Sequence, residues 1–572
     1  MIRSALSVTK ATPLARRGLV VAEHPAGALV GARVLERGGN AVDAAVAAAL
    51  AMTVVEPFMS SLAGGGTMLV HLARRGETRV VDFNVEAPAA CHEASYALAQ
   101  GRGDDLFPWR RVAEDANVFG PRAVAVPGTV AGLALALRRF GTMSLGDAAA
   151  PAVALARDGF VPDWYQALAT AQYCRELAAF PETARTYLRD GHYVYRPPAL
   201  DGGDRFVQPE LARSLELIGR EGPEAFYRGP IAQAIADLMR GTGGFLAAED
   251  LARYEPRVVE PLVGRYRDLE LAFSPGATGG ITALQTLTLL AQFPASRVGY
   301  RTAGGLHRRA EAVRLAFLDR FAHLGDPAMV KAPWRGLVAE GYARAVARGL
   351  AAGRRAERPA GPDPWDHEDG VGGRPRAAAP RGAGRPATDC TTHVCAVDGQ
   401  RNMVSLTNTA VSLWGSRMVV PGTGILLANG MIWFDPEPGR PNSIAPGKRP
   451  LVNMVPVLAF KAGAPHLALG APGGRKIVSA VPQVLANLVD QRESPQAAIE
   501  APRLHTEGED LWVDDRVGPA VLRALERLGH RVVAKHQAHG TFYFARPVAI
   551  RVTRRGLEAG LEHLNQAAAA GI

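Results

Sequence analysis

Residues Ala360 to Thr388 read AGPDPWDHEDGVGGRPRAAAPRGAGRPAT, dense in Pro, Gly, Arg and Asp and poor in apolar side chains. Such a stretch cannot bury enough surface to offset the entropy of ordering it, so a mobile loop is expected there. The residues beyond it have the opposite character. Thr391 to Val397 and Met403 to Thr409 are β-branched and apolar runs that predict two strands joined by the turn Asp398-Gly399-Gln400-Arg401. A loop that cannot fold, ending abruptly on a strand, has the form of a processing site; an ordinary linker has the same form.

The junction itself reads Asp389-Cys390-Thr391-Thr392-His393. A threonine hydroxyl is a weak nucleophile because no strong base is attached to it. Cleavage between Cys390 and Thr391 gives Thr391 a free α-amine, with an unperturbed pKa of about 8. One residue then supplies both nucleophile and general base. For an isolated Thr-Thr pair at the start of a strand, β-propensity would be explanation enough.

Composition excludes several other classes. Among 572 residues no apolar run is long enough to span a bilayer, and the start, Met1 to Arg17, lacks the apolar centre of a signal peptide, so a cytoplasmic protein is expected. The net charge of +10 comes mostly from scattered arginines, without a basic stripe or a nucleic-acid motif. Cys91, Cys174, Cys390 and Cys395 form no CxxC pair, and no histidine spacing suits a metal. No cofactor is called for.

Upstream, helical patterns over Ala26 to Arg37 and Val42 to Val54 flank Gly38-Gly39-Asn40 and predict a helical hairpin. Gly64-Gly65-Gly66 precedes the strand-like Thr67 to Leu72 with no phosphate-loop lysine, which points to close backbone packing. Pro127 to Arg354 is mostly helical, with turns at Gly141, Gly159, Gly222 and Gly243. It is interrupted by a strand pair within Pro261 to Ser274 and the glycine-rich turn Pro275 to Gly280.

Over nearly its whole length the chain resembles the γ-glutamyltransferase family of N-terminal-nucleophile enzymes. The resemblance is carried by GLVVAEHPAGALVGARVLERGGNAVDAAVAAALAMTVVEPFMSSLAGGG from Gly18, AVAVPGTVAGL from Ala123, DCTTHVCAVD from Asp389, SLTNT from Ser405, PGTGILLAN from Pro421, PGKRPLVNMVP from Pro446 and GAPGGRK from Gly470. It implies an α+β fold, a four-layer αββα sandwich with a largely helical periphery. It also implies a precursor that cuts itself into a large subunit, 1–390, and a small subunit, 391–572, together one intertwined domain. Thr391 matches the nucleophile and Thr409 the second threonine that supports it. Gly473 and Gly474 match the pair whose N–H groups hold the oxyanion, a role that suits residues without side chains; a plain turn is the alternative.

The donor-recognition positions depart from the family. A γ-glutamyl donor carries an α-carboxylate and an α-ammonium, and both need partners once buried. In DFNVEAP, from Asp82, Asn84 stands where the family has a carboxylate-binding arginine. Trp433 stands where an aspartate binds the ammonium, Val411 where the family has Asn, and Val452 and Asn453 where it has a serine pair. Losing one buried partner of a charged group costs on the order of 2–5 kcal/mol, so efficient glutamyl binding is not expected.

The stretch WFDPEPGRPNSIAPGKRP, from Trp433, is similar to the cephalosporin-acylase-like branch. Pro436 to Lys448 is shorter than the lid of lidded transferases, implying a more open pocket. Arg475 follows the glycine pair, either as a partner for a substrate carboxylate or as an ordinary surface arginine; Glu86 is a candidate for meeting a cationic substrate.

The expected function is a self-processing amidohydrolase or acyltransferase with a small-molecule acyl donor other than γ-glutamyl, and water or an amine as acceptor. Nucleic-acid and membrane partners are not expected. The alternatives are a true γ-glutamyltransferase or glutathione hydrolase, a biosynthetic enzyme cleaving a non-amide bond next to a carbonyl, and an inactive scaffold.

Overall fold

Thr392–Val397 and Met403–Thr409 pair antiparallel, Thr392 opposite Asn408, as the two runs predict. They lie at the centre of a seven-stranded sheet ordered Ala568–Gly571, Leu19–Ala22, Thr392–Val397, Met403–Thr409, Gly65–Leu72, Glu77–Phe83 and Arg257–Val259. A second seven-stranded sheet runs Leu14–Ala15, Gly556–Gly560, Val548–Thr553, Ala464–Gly470, Val457–Lys461, Leu269–Phe273 and Leu262–Tyr266. All neighbours in both sheets are antiparallel. This computed structural model describes residues 8–102, 109–350, 355, 362–368 and 390–572.

Side chains alternate across each strand, which divides the core into layers. Leu19, Val21, Leu69, Cys395 and Val397 pack with Leu458, Ala468, Val548 and Ile550 between the sheets. Val20, Ala22, Val394, Ala396, Val404 and Leu406 join the helix-side core of the first sheet. Helices Pro25–Glu36, Ala41–Val55 and Thr129–Phe140 cover that face, and Gly280–Ala291, Lys476–Asp490 and Pro495–Glu500 cover the second sheet. The expected αββα sandwich is therefore the fold. Each sheet takes strands from both sides of the Cys390–Thr391 bond.

The helical hairpin also forms, with Gly38 at φ +94° between its arms. Asn40 and Asp43 cap the second arm reciprocally: Asn40 Oδ1 accepts from the Val42 N–H at 2.8 Å, and Asp43 Oδ2 from the Asn40 N–H at 2.8 Å. Every residue of Ala41–Val55 is buried, the environment that a helix apolar on all sides requires. Gly141, Gly159, Gly222 and Gly243 each terminate a helix, and the strand pair falls at Leu262–Tyr266 and Leu269–Phe273.

Within the stretch expected to be a mobile loop, residues 362–368 make defined contacts. Pro364–His367 makes one 3-10 turn, Pro364 is buried, and Glu368 accepts from the N–H groups of Arg335 and Gly336 at 2.8 and 2.7 Å. Counting apolar residues missed this because the anchor is a carboxylate on two backbone donors, helped by Trp365 against the His323 ring. The rest of 360–388 lies outside the described residues. No helix among the described residues is long and apolar enough to cross a membrane.

One buried ion pair fastens the C-terminal strands. Arg503 Nη2 and Glu562 Oε2 are 2.6 Å apart, with both side chains 1 % exposed. Burial opposes ionisation of Glu562, but Arg503, with His563 beside it, holds the carboxyl below its usual range. A depressed folded-state pKa stabilises the fold above the unfolded carboxyl value of about 4.3, and this is lost as pH falls through the folded value. Glu562→Gln leaves Arg503 buried and unpaired, at an expected cost of about 3–5 kcal/mol. Denaturant titration at pH 7 checks this; a loss no larger than that of the exposed Glu526→Gln would contradict it.

Candidate active site

Thr391 lies at the head of the central strand of the first sheet and is 3 % exposed. In this continuous chain its hydroxyl donates to the carbonyl of Cys390, the residue whose peptide bond would be cut. Thr409, at the end of the neighbouring strand, has Oγ1 3.3 Å from both Thr391 Oγ1 and the Cys390 carbonyl oxygen. It also accepts from the Val411 N–H at 2.8 Å. With that N–H as donor and Cys390 O as acceptor, the Thr409 oxygen can still accept the Thr391 proton. The two threonines and the Cys390 carbonyl are thus brought together.

The stretch Glu56 to Gly66 forms the cradle for this junction. Met59 O accepts from the Ala410 N–H at 3.0 Å and from the Cys390 thiol at 3.3 Å, and Phe58 O accepts from the Trp414 N–H at 3.1 Å. Glu56 accepts from Thr392 Oγ1 at 3.2 Å. Gly64 lies so close to the Thr409 carbonyl that a Cβ has no room, and Gly66 is pressed against Phe83 and the Thr407 carbonyl. Close packing, expected of Gly64-Gly65-Gly66, is what these glycines provide.

His393 belongs to the scaffold of the site. It is fully buried, with Nδ1 2.9 Å from Thr407 Oγ1 and Nε2 3.1 Å from Ser405 Oγ. Ser405 spends its proton on Leu469 O at 2.9 Å. Nε2 therefore carries the histidine proton, and Nδ1 accepts from Thr407. Burial pushes the imidazole down to about 3, so it is neutral. Gly470, in the facing sheet, lies against the ring with no space for a side chain.

Gly473 and Gly474 come three residues beyond that contact and open the helix Lys476–Asp490. Their φ angles are +129° and +56°. A Cβ on Gly473 would stand 2.6 Å from Ala545 Cα, so both backbone conformation and space demand glycine. The helix N-terminus adds a field that favours negative charge at this turn.

The donor-recognition positions are buried together rather than open. Val411, Trp433 and Val452 belong to one apolar cluster with Met431, Phe434 and Met454. Val411 stands at φ +84°, unusual for a β-branched side chain and worth roughly 1–3 kcal/mol of strain. Asn84 is buried and spends its amide on backbone: Nδ2 donates to Pro450 O at 3.3 Å and Oδ1 accepts from the Val85 N–H at 2.9 Å. Arg320 donates to Val452 O at 2.7 Å and to Asn453 Oδ1 at 3.2 Å. Burial lowers that guanidinium to about 9.

Two expectations are corrected. Arg475 is no surface arginine: its side chain is 12 % exposed and its Nε lies 2.8 Å from Glu507 Oε1. Against the opposing effect of burial, Arg475 and His505 hold Glu507 down at about 2. Glu86 is not free for a cationic substrate, because Arg449 Nε donates to it at 2.9 Å. The short Pro436 to Lys448 segment, from which a more open pocket is expected, is hydrogen-bonded in place, Lys448 Nζ to Ser443 O at 2.7 Å and Asn442 Nδ2 to Trp433 O at 2.7 Å. Glu56, Met59 and Arg320 were missed as individual residues. The only signal for Glu56 and Met59 was the family-like string around them, which assigned them no role.

A two-sheet sandwich with its junction threonine at the head of a central strand is the architecture of N-terminal-nucleophile hydrolases. The model of the family described as Gamma-glutamyltranspeptidase matches residues 27–572. The Acylase ACY 1 proenzyme of Pseudomonas sp. (strain SE83) is 38% identical over 92% of this chain and 88% of its own. The Glutathione hydrolase proenzyme of Bacillus subtilis (strain 168) is 33% identical over 91% and 86%. Among solved structures, cephalosporin acylase from Bacillus halodurans superposes with a TM-score of 0.83 at 25% identity, covering 100% of this chain and 98% of that one. The chain belongs to the gamma-glutamyltranspeptidase family, and is a self-processing enzyme of amide hydrolysis or acyl transfer.

Proposed function

We propose that the chain cuts itself between Cys390 and Thr391, and that the Thr391 so exposed hydrolyses or transfers an acyl group other than γ-glutamyl. The observation that carries the cleavage is the Thr391 hydroxyl resting on the Cys390 carbonyl group, with Thr409 bonded to both. In that step Thr391 Oγ1 adds to the Cys390 carbonyl carbon, the C–N bond breaks and a proton passes to nitrogen. Water then cleaves the ester, leaving a carboxyl at Cys390 and a free amine at Thr391. Large and small subunits, 1–390 and 391–572, stay joined because each sheet contains strands from both.

Catalysis repeats the same chemistry on a substrate. The Thr391 amine takes the hydroxyl proton, the oxygen attacks the acyl carbonyl, and the N–H groups of Gly473 and Gly474 receive the oxyanion. The amine then protonates the leaving group, and water or an amine acceptor releases the acyl-enzyme. The donor reading rests on Val411, Trp433 and Val452 packing as one apolar cluster, which offers nothing to an α-ammonium. Asn84 cannot replace an arginine, since its amide is already engaged with Pro450 and Val85. The likeness to the acylase proenzyme and the cephalosporin acylase points the same way.

The test is a side-by-side assay of glutaryl and γ-glutamyl p-nitroanilides on the processed protein. The expected kcat/KM favours the glutaryl compound by at least about 30-fold, the equivalent of one lost charge partner. Equal rates, or glutamate release from glutathione abolished by Thr391→Ala, would replace this reading with a glutathione hydrolase.

A further inference from the structure

Beneath the junction lies a group of buried charges that the mechanism above leaves unused. Glu56, in the cradle, and Glu23, directly after the strand Leu19–Ala22, are each 2 % exposed. Glu56 accepts from Thr392 Oγ1 at 3.2 Å, one residue from the nucleophile. Glu23 Oε2 accepts from Asn565 Nδ2 at 2.6 Å, while its Oε1 is buried with no hydrogen-bond partner. Arg546, also buried, faces both carboxyls and donates to the Tyr165 hydroxyl. Its backbone N–H donates to Pro472 O at 2.9 Å, immediately before Gly473.

The charges do not balance. The groups facing Glu56 are Glu23, Asp163, Arg546 and Tyr165; those facing Glu23 are Arg546, Lys10 and Glu562, with Asn565. Lys10 is committed to the carbonyl oxygens of Asn565 and Ala567 at 2.8 and 2.6 Å. Glu562 is committed to Arg503. His24, near Asp163, is pushed down to about 4 by burial and is neutral. Two buried carboxyls are left sharing the guanidinium of Arg546. Burial, with Glu23 and Asp163 adding to it, raises Glu56 well above the usual carboxylate range, so in the uncut chain it carries a proton.

Self-cleavage creates a cation at Thr391, the residue next to the Thr392 hydroxyl that Glu56 already accepts from. We propose that Glu56 is the counter-charge and orienting acceptor of the α-amine created at Thr391, a positioning residue that acts on the nucleophile's own base. The inference rests on the reading of Thr391 given above. On cleavage the Glu56 proton passes to the new amine, COOH and NH2 becoming COO⁻ and NH3⁺. The resulting pair holds the amine beside the hydroxyl. It also raises the pH at which the amine loses its proton and can serve as base. Arg546 ties the same cluster to the Gly473–Gly474 turn, so nucleophile and oxyanion donors share one buried anchor.

The test measures labelling of Thr391 by phenylmethanesulfonyl fluoride as a function of pH, read from the intact mass of the 391–572 chain. Glu56→Gln is expected to lower the midpoint of the labelling profile by about one pH unit, so that labelling on the acid limb becomes about tenfold faster. Glu56→Asp is expected to restore most of the shift. A rate lowered equally at every pH, with the midpoint unmoved, would show a merely structural role and overturn the inference. A second measurement does not need the variant to cut itself. Infrared difference spectra at pH 7 between Thr391→Ala and Thr391→Ala/Glu56→Gln should isolate the acid band of Glu56 from that of Glu23, which burial raises to about 8; the Glu56 band should be lost on processing, and its persistence in the processed protein would overturn the inference. No labelling of wild-type Thr391 at any pH would instead sink the nucleophile reading itself.

Discussion

Thr391→Ala is expected to remain a single uncut chain and to lose turnover by a factor on the order of 10⁴ or more. Two separate losses combine in this variant. Alanine has no hydroxyl to add to the Cys390 carbonyl, so the α-amine is never released. Without hydroxyl and amine, a bound acyl donor meets neither nucleophile nor base. Folding should be little affected, because the hydroxyl's partners are Cys390 O and Thr409 Oγ1, and Thr409 keeps its bond from the Val411 N–H. Thr391→Ser, which retains the hydroxyl, should still cut itself. Denaturing gel electrophoresis and a p-nitroanilide assay on the three proteins decide the matter; a cut Thr391→Ala chain would remove Thr391 from the cleavage step.

Gly473→Ala is expected to lower kcat by roughly 10²–10³-fold, the effect of losing an oxyanion donor. The cause is geometric. A methyl group at this position would meet Ala545 Cα at 2.6 Å and Ala545 Cβ at 2.9 Å, and these are not flexible side-chain ends that can swing aside. The φ of +129° is itself hostile to any side chain. The turn must therefore move, and its N–H groups move with it. KM should change much less than kcat, because the donors act on charge that develops only in the transition state. Gly508→Ala is the control, since a Cβ there meets nothing within 4 Å. Unchanged kcat in Gly473→Ala would return the glycine pair to an ordinary turn.

Much of this arrangement was legible in the sequence where the cause is local. The strands Thr392–Val397 and Met403–Thr409 announce themselves by β-branched residues and a four-residue turn. The helical hairpin follows from apolar periodicity punctuated by Gly38-Gly39-Asn40, with a side-chain cap the letters already contain. Long-range causes were not legible. Nothing near Glu56 says that it will lie under Thr392, 336 positions away. Likewise, only the folded chain brings Arg546 into the electrostatic reach of both Glu23 and Glu56. Arg475 reads equally as a substrate-carboxylate partner or a surface arginine, and its pairing with Glu507 is visible only in the fold. Val411 is read in the sequence only as a departure from a family Asn, and nothing in the letters signals its φ of +84° or its N–H donated to Thr409.

The departures at Asn84, Val411, Trp433, Val452 and Asn453 fit one physical theme. Where a γ-glutamyl donor needs two charged partners, this chain offers apolar packing and an amide already engaged. Arg320 donates to the Val452 carbonyl and to the Asn453 side chain, which ties this pair to the helix Ala303–His323. On the function proposed above, specificity is a matter of what these positions leave unpaired in the wrong donor.

Everything proposed for this site depends on Thr391 becoming an N-terminal nucleophile through self-cleavage. Intact-mass and N-terminal analysis of the purified protein, before and after a brief acid-quenched reaction with glutaryl p-nitroanilide, tests this most directly. Two chains are expected, the second beginning at Thr391, with the glutaryl increment on that chain alone and absent from Thr391→Ala. A chain that stays uncut under folding conditions, or an acyl increment on any other residue, would contradict it.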